Sequence, residues 1–207
     1  EVVYNGYDPE NFINLPAPNN EEFSITHLGS FNRDRNPPSL WASLSSLSHE
    51  NPQFKDKLRI YLIGQTDNSV LKDIEKNNLT DNLTPIKYLP HKKGIDYLAK
   101  SQILLLPINN TPKATGILPG KMYEYLAVKR PILAIGPSGA DCEKIIKESF
   151  SGEYAVFNDT EKIKSTLSDF FNLYQQNQLM LKKSIYEQFS RKELAKKFMA
   201  LAEKSKL

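Results

Sequence analysis

The sequence predicts an α/β fold, a Rossmann-like doubly wound parallel sheet with helices on both faces. Three observations carry that expectation. Short apolar runs alternate with helical patterns along almost the whole chain. The runs, among them Leu58 to Ile63 and Ile103 to Leu106, are continuously apolar, as strands covered on both faces are. Glycine or proline closes them, at Gly29, Gly64 and Pro107. Crossovers in such a sheet are right-handed. Ligands bind beyond the carboxyl ends of its strands, near the switch in strand order. The informative loops are therefore 29–37, 64–67, 89–94, 107–120 and 136–140.

Val2 to Tyr4 reads as a short strand, and Asn5-Gly6-Tyr7-Asp8-Pro9 as a turn. Residues 9–22, rich in Pro, Asn and Glu, read as an extended surface segment. Phe23 to Leu28 is the first full strand. Pro37 and Pro38 open a helix to about Ser48, with Leu40, Trp41, Leu44 and Leu47 at helical spacing. A strand over Leu58 to Ile63 and a helix over Asp67 to Asn77 follow. Pro85 to Leu89 is read as a third strand, and Pro90 and His91 lead into a helix with Ile95 and Leu98 inward. A buried strand spans Ile103 to Leu106. The spacing then predicts a helix near Lys121, ended by Pro131, and a strand over Ile132 to Ile135. A helix from Ala140 to Glu148, a strand from Tyr154 to Phe157 and a helix capped by Asp159 or Thr160 come next. Met180 to Phe189 is expected to be helical. The terminal helix, Arg191 to Lys204, should turn Leu194, Phe198, Leu201 and Ala202 inward.

The composition, 40% hydrophobic and 25% charged over 207 residues, is that of a globular protein. A net charge of +3 with dispersed Lys and Arg gives no electrostatic footprint for nucleic acid. One cysteine excludes an internal disulfide framework and fits a reducing compartment. No apolar run approaches the ~20 residues of a membrane span, and no signal peptide is readable. The chain begins at Glu1 directly before a strand-like segment, so it is expected to be a piece of a longer protein. The expected division is an interdomain linker and lead-in segment at 1–22, a ligand-binding domain at 23–190, and a terminal helix at 191–207.

The stretch 115–136 combines a glycine-proline loop, a helix start and a strand. The first N–H groups of a helix lack internal partners, and the helix dipole adds positive potential there. A phosphate fits such a corner. Lys121 adds a full charge, and Glu124, three residues on, lies on roughly the same face. A carboxylate there can accept hydrogen bonds from the vicinal hydroxyls of a ribose. Arg33 and Arg35, in the loop after the first strand, are candidates for bidentate phosphate binding; they could equally pair with Asp34. His91 follows a strand and either borders a base or serves as a surface or capping residue. His27, inside a strand, reads as structural, and His49 as solvent-facing. No metal-ligand spacing, Ser-His-Asp set or Cys-His set is readable, so no protein-built metal site and no cofactor is expected. The glycine fingerprint of NAD folds is absent after the first strand.

Together these features resemble one family. Asn5-Gly6-Tyr7-Asp8 with Phe12, Leu28-Gly29-Ser30-Phe31 with Arg35-Asn36-Pro37, Leu118-Pro119-Gly120-Lys121-Met122-Tyr123-Glu124-Tyr125-Leu126-Ala127 with Arg130-Pro131-Ile132, and Phe189-Ser190-Arg191 are similar to motifs of the C-terminal, donor-binding domain of retaining GT-B glycosyltransferases of the family 4-like group. The resemblance runs over nearly the whole chain and is most specific at 118–132.

The resemblance implies one half of a GT-B fold and transfer of a sugar from a nucleotide-sugar, such as a UDP- or GDP-sugar, without a metal. It implies Lys121 and Arg35 as catalytic cations, with Arg33 as the alternative to Arg35. Glu124 would hold the ribose. Gly29, Ser30, Arg33, Pro90, His91, Ile117 and Leu118 would line the nucleotide site. The acceptor, a glycan or lipid-linked sugar, would be met by an N-terminal domain, toward which the terminal helix would pack. Polysaccharide synthesis at the bacterial surface, with a cytoplasmic protein at the inner face of the membrane, is the expected setting. Two departures stand out. Gly116 occupies the place of the first Glu of the family's Glu-x7-Glu motif, and Ser30 that of an Arg often found after the strand-end glycine. Two rival readings share the architecture, a nucleotide-sugar epimerase and a noncatalytic nucleotide-sugar-binding module.

Overall fold

The computed structural model describes residues 3–111, 113–181 and 185–204. Its strands are β1 (Phe23–Leu28), β2 (Leu58–Ile63), β3 (Leu83–Ile86), β4 (Ile103–Pro107), β5 (Ile132–Gly136) and β6 (Gly152–Val156). They form one six-stranded sheet in the order β3-β2-β1-β4-β5-β6. Every neighbouring pair is parallel. The helices are α1 (Pro38–Glu50), α2 (Pro52–Lys57), α3 (Asn68–Lys76), α4 (His91–Lys100), α5 (Gly120–Val128), α6 (Asp141–Glu148), α7 (Thr160–Gln175) and α8 (Arg191–Lys204).

Side chains alternate across a strand, and here both faces are covered. Ile103 and Leu105 of β4 enter one core with Trp41, Leu44, Phe54, Leu167 and Phe171 from α1, α2 and α7. Leu104 and Leu106 enter a second core with Ile95, Leu98, Met122, Leu126 and Ile146 from α4, α5 and α6. A strand between two such cores can carry no polar face, hence its unbroken apolar run. The fold is the doubly wound parallel sheet that the sequence predicts.

The differences are local. The third strand lies at Leu83–Ile86, two residues ahead of its expected start, and holds Pro85 inside it. It is an edge strand, where a missing N–H is tolerated. Helix α5 ends at Val128, and Lys129 caps it in the left-handed conformation (φ 63°). Pro131 thus falls beyond the helix and leads into β5. Val3 and Tyr4 form no strand, and Val2 lies outside the described residues. Tyr7 pairs instead with the tail: its N–H donates to Phe189 O (3.1 Å), and Arg191 N–H donates to Tyr7 O (2.9 Å). The tail crosses so closely that a Cβ on Gly6 would meet Phe189 O at 2.2 Å. Within the lead-in segment Pro9–Phe12 is a 3-10 turn capped by Asp8, and Phe12 and Leu15 pack on the second core. In place of a helix over 180–189 there is a 3-10 turn at Glu187–Phe189; residues 182–184 lie outside the described set. Helix α8 buries none of its residues, and Phe198 is 64% exposed. Its apolar stripe meets too little of this chain to turn Phe198 and Ala202 inward.

Candidate functional site

Strands β1 and β4 pair only at Ile25–Ile103 and Thr26–Leu104, then part. This is where the strand order switches, and side chains bridge the gap. The buried His27 donates from Nδ1 to Leu105 O (3.1 Å). Leu28 N–H donates to the Tyr125 hydroxyl (2.9 Å), which α5 brings over the split. Burial pushes the Tyr125 phenol well above its ordinary range, so it stays neutral and keeps this bond. Tyr125 therefore docks α5 on the carboxyl end of β1.

That docking places Lys121 over the end of β1. A Cβ on Gly29, whose φ is 109°, would sit 2.9 Å from Lys121 Nζ, so a residue with no side chain is needed there. Nζ lies 3.3 Å from His27 Nε2. Each ring nitrogen faces a carbonyl, Nδ1 that of Leu105 at 3.1 Å and Nε2 that of Ser30 at 3.4 Å. The shorter contact, and an ammonium that can only donate, assign the proton to Nδ1 and make Nε2 the acceptor. Burial, and then the Lys121 charge, lower His27 to about 3, so the ring is neutral. Lys121 is itself lowered to about 8, first by burial and then by the Arg35 charge, against an opposing pull from Glu124.

Arg35 arrives from the loop after β1, where Arg33–Arg35 form a 3-10 turn. Its Nε donates to Asn109 Oδ1 (2.8 Å) and its Nη1 to Ser30 O (3.1 Å). Asn110 N–H donates to Asp34 O (2.7 Å), tying this loop to the one after β4. The alternative Arg35–Asp34 ion pair does not form. Arg33 is exposed, and its charge acts weakly on Asp67 rather than on Lys121. Of the two arginines, the structure joins only Arg35 to the lysine.

No side chain caps the N-terminus of α5. Met122 N–H donates to Pro119 O, and Ile117 N–H donates to Ala114 O (3.0 Å). The Ile117 amide, expected to face a phosphate, is thus spent inside its own 3-10 turn. The N–H groups of Leu118, Gly120 and Lys121 meet no acceptor among the described residues. Three free amides around a helix start, with one lysine and one arginine alongside, make a cradle for an anion.

One turn along α5, Glu124 Oε1 accepts from His91 Nε2 (2.9 Å), with side chains 31% and 54% exposed. His91 opens α4, and Pro90 is its N-cap residue, with a carbonyl accepting from Gly94 N–H. One carboxylate oxygen of Glu124 remains for a ligand. Ser30 is exposed at the mouth of the cradle. Gly116 stands in open space, with nothing within 4 Å of a Cβ placed there. Among the described residues no group of three or more His, Cys, Asp or Glu is placed to hold a metal ion.

Two clefts lie apart from this rim. One of 330 Å³, lined by Glu22, Ser24, Tyr61, Asp96 and Tyr97, sits under the amino ends of the strands. Another, of 810 Å³, runs between α6 and α8. Neither holds a residue of the cationic cluster.

Sequence reasoning gave no place in the cluster to Asn109 or Tyr125, while His27, read as structural, is buried and bonded to β4 as that reading expects. Its place two residues before Gly29 is the signal that it also lies near the rim. Asn109 carried none, because its role depends on the path of a loop.

No protein-family model matches the chain, and no curated protein matches it in sequence. Solved structures match its fold. HepE from Anabaena, solved in complex with UDP, superposes with a TM-score of 0.76 at 12% identity, over 99% of this chain and 57% of that one. Sucrose-phosphate synthase from Thermosynechococcus elongatus gives 0.73 at 15% identity, over 99% and 52%. The C-terminal domain of LpcC from Francisella tularensis, a glycosyl transferase group 1 family protein, gives 0.63 at 13% identity, over 86% and 94%. The architecture is shared with these structures: a Rossmann-like parallel sheet, one half of a GT-B fold. The chain spans little more than half the length of the first two, and nearly the whole of the excised LpcC domain.

Proposed function

We propose that the chain is the donor-binding domain of a glycosyltransferase that moves a sugar from a nucleotide-sugar to an acceptor. One observation carries this reading. Arg35, Lys121 and three unpaired amides converge at the switch in strand order, with Glu124 one helical turn away. The cations and amides suit a diphosphate, and the free oxygen of Glu124 suits a ribose hydroxyl. Pro90 and His91 then border the base. UDP is the nucleotide to test first, because HepE was solved with UDP.

Breaking the bond between a sugar and a nucleoside diphosphate builds negative charge on the leaving group. Fixed cations and oriented N–H groups stabilise that charge as it develops. Lys121 and Arg35 take this role without a metal in the proposed mechanism, which retains configuration at the sugar. The acceptor, a glycan or lipid-linked sugar in bacterial surface polysaccharide synthesis, belongs to an N-terminal domain, and the exposed face of α8 suits contact with it. A cytoplasmic site of action accords with the finding that no helix among the described residues is long and apolar enough to cross a membrane.

Calorimetry with UDP, GDP and their sugars tests the reading: weak binding of one nucleotide is expected, and no sugar transfer by this chain alone. Turnover by the isolated chain would overturn the division of labour between halves. Absence of binding by every nucleotide would overturn the reading itself. A second reading, a noncatalytic nucleotide-sugar-binding module, rests on Gly116. No packing demand excludes a carboxylate at this position, so its absence is a chemical difference. Transfer by the full-length protein, lost in Lys121→Ala and Glu124→Ala, decides for the enzyme.

A further inference from the structure

We infer that His27 and Asn109 are positioning residues that hold the two rim cations through neutral acceptors, leaving both positive charges whole for a diphosphate. The inference rests on the proposed function and deepens it.

Three contacts lead to it. Lys121 is held at 3.3 Å by His27 Nε2, a lone pair without charge. Arg35 is held by the Asn109 amide oxygen at 2.8 Å and by the Ser30 carbonyl at 3.1 Å. Neither cation makes an ion pair with a carboxylate among the described residues, although salt bridges form elsewhere on the surface. A carboxylate in place of either acceptor would fix the cation equally well, but an arriving phosphate would then have to compete with it. A neutral acceptor fixes the side chain and leaves its field intact. Arg35 and Lys121 meanwhile repel each other, which lowers Lys121. That repulsion is relieved only when an anion settles between them.

His27 does two things at once. Its Nδ1–H bonds β4 at Leu105 across the split in the sheet, and its Nε2 faces Lys121. The Leu105 bond is shorter than the 3.4 Å contact of Nε2 with Ser30 O, and the ammonium can only donate, so the proton sits on Nδ1 and Nε2 is the acceptor. The groups that face Lys121 are His27 from β1, Arg35 from the loop after β1, and Glu124 from α5. His91 of α4 reaches it through Glu124.

The test is binding of UDP and of inorganic pyrophosphate to the whole chain, by calorimetry across pH. Asn109→Asp keeps an oxygen for Arg35 Nε but adds a counter-charge, and at least a tenfold loss in affinity for both probes is expected. A purely structural asparagine predicts equal or tighter binding, and that result would overturn its role. His27→Phe removes the acceptor for the ammonium. It should weaken UDP binding and shift the pH above which affinity falls to a lower value, with partial recovery in His27→Gln, whose amide oxygen can accept. An unmoved pH break in a folded His27→Phe chain overturns the role of His27. If burial makes that variant unfold, the partly exposed Asn109 still decides the matter of neutral holding. A wild-type chain that binds neither probe refutes the functional reading itself. Wild-type binding matched by both variants refutes this inference alone.

Discussion

Helix α5 has a cation near each end, and the two are held by the same kind of group with opposite results. Beyond its C-terminus Arg130 is 8% exposed. Its Nε donates to Ser101 O (2.7 Å), and its Nη2 contacts Gln102 Oε1 (2.9 Å), Gln102 O (3.3 Å) and Leu179 O (3.2 Å). At the N-terminus Lys121 has one neutral contact, with His27. Burial lowers both, Arg130 to about 10 and Lys121 to about 8. Neither has a carboxylate partner within salt-bridge distance among the described residues. The difference lies in the donors left over. Arg130 puts its Nε and Nη2 on four oxygens and ties the segment before β4 to the chain around Leu179, whereas Lys121 has one neutral contact and keeps its other donors for something that arrives. A buried cation among neutral oxygens is thus structural or functional according to how many of its N–H groups the fold has used.

The largest effect should come from breaking the structural end. Arg130→Met leaves the acceptors of Ser101, Gln102 and Leu179 without their donor. At ~1–3 kcal/mol for each buried group left unpaired, the loss should reach about 3 kcal/mol or more. For a chain of this size that lowers Tm by about 6–12 °C, at roughly 2–4 °C per kcal/mol. Urea or thermal unfolding measures it. The folded remainder should bind UDP as the wild type does.

Lys121→Met should show the reverse. Removing a partly buried charge that has only one neutral partner should leave stability unchanged or slightly higher. Affinity for UDP should fall about 10- to 100-fold, the range of ~1.5–3 kcal/mol for a hydrogen bond to a charged group. A variant that loses both stability and affinity would erase the distinction between the two ends.

The same contrast separates what the sequence made legible from what it hid. Strands β1 and β2 could be bounded to the residue, because each is closed by a glycine, Gly29 and Gly64. The Lys121 and Glu124 pair could be placed on one corner from a loop, a helix start and a three-residue step. Arg130 stood out only as part of a motif, because its partners are backbone carbonyls from two other segments, and carbonyls carry no sequence signal. The same holds for Asn109 and for Arg35 against Arg33, which a loop path decides. Helix α8 misled for another reason: an apolar stripe says that a face is to be covered, not that this chain covers it.

A smaller effect tests the ribose side of the rim. Glu124→Gln keeps an oxygen but loses the charge, so UDP affinity should fall by about 1 kcal/mol, roughly fivefold. The discriminating measurement is the preference for UDP over its 2′,3′-dideoxy form, which should shrink in the variant. An unchanged preference would remove Glu124 from the ribose site and leave it as the partner of His91.

The smallest effect is a pH slope, and its sign separates binding from folding at one residue. Lys121 is lowered to about 8 in the folded chain, from the ordinary lysine value of 10.5. Between those values the unfolded chain carries more protons than the folded one, so the Lys121 contribution to stability rises with pH. Binding runs the other way. A diphosphate favours the ammonium, so binding draws in a proton, and affinity should fall about threefold between about pH 7.5 and 8.5. Cys142, pushed up to about 12 by burial, gives a stability slope of the opposite sign once the pH passes the ordinary thiol value of 9.0, so measurements belong below about pH 9. Subtracting the Lys121→Met chain isolates both slopes. Opposite signs in that difference place Lys121 among groups kept charged for a ligand at a cost in stability; like signs would make it a second Arg130.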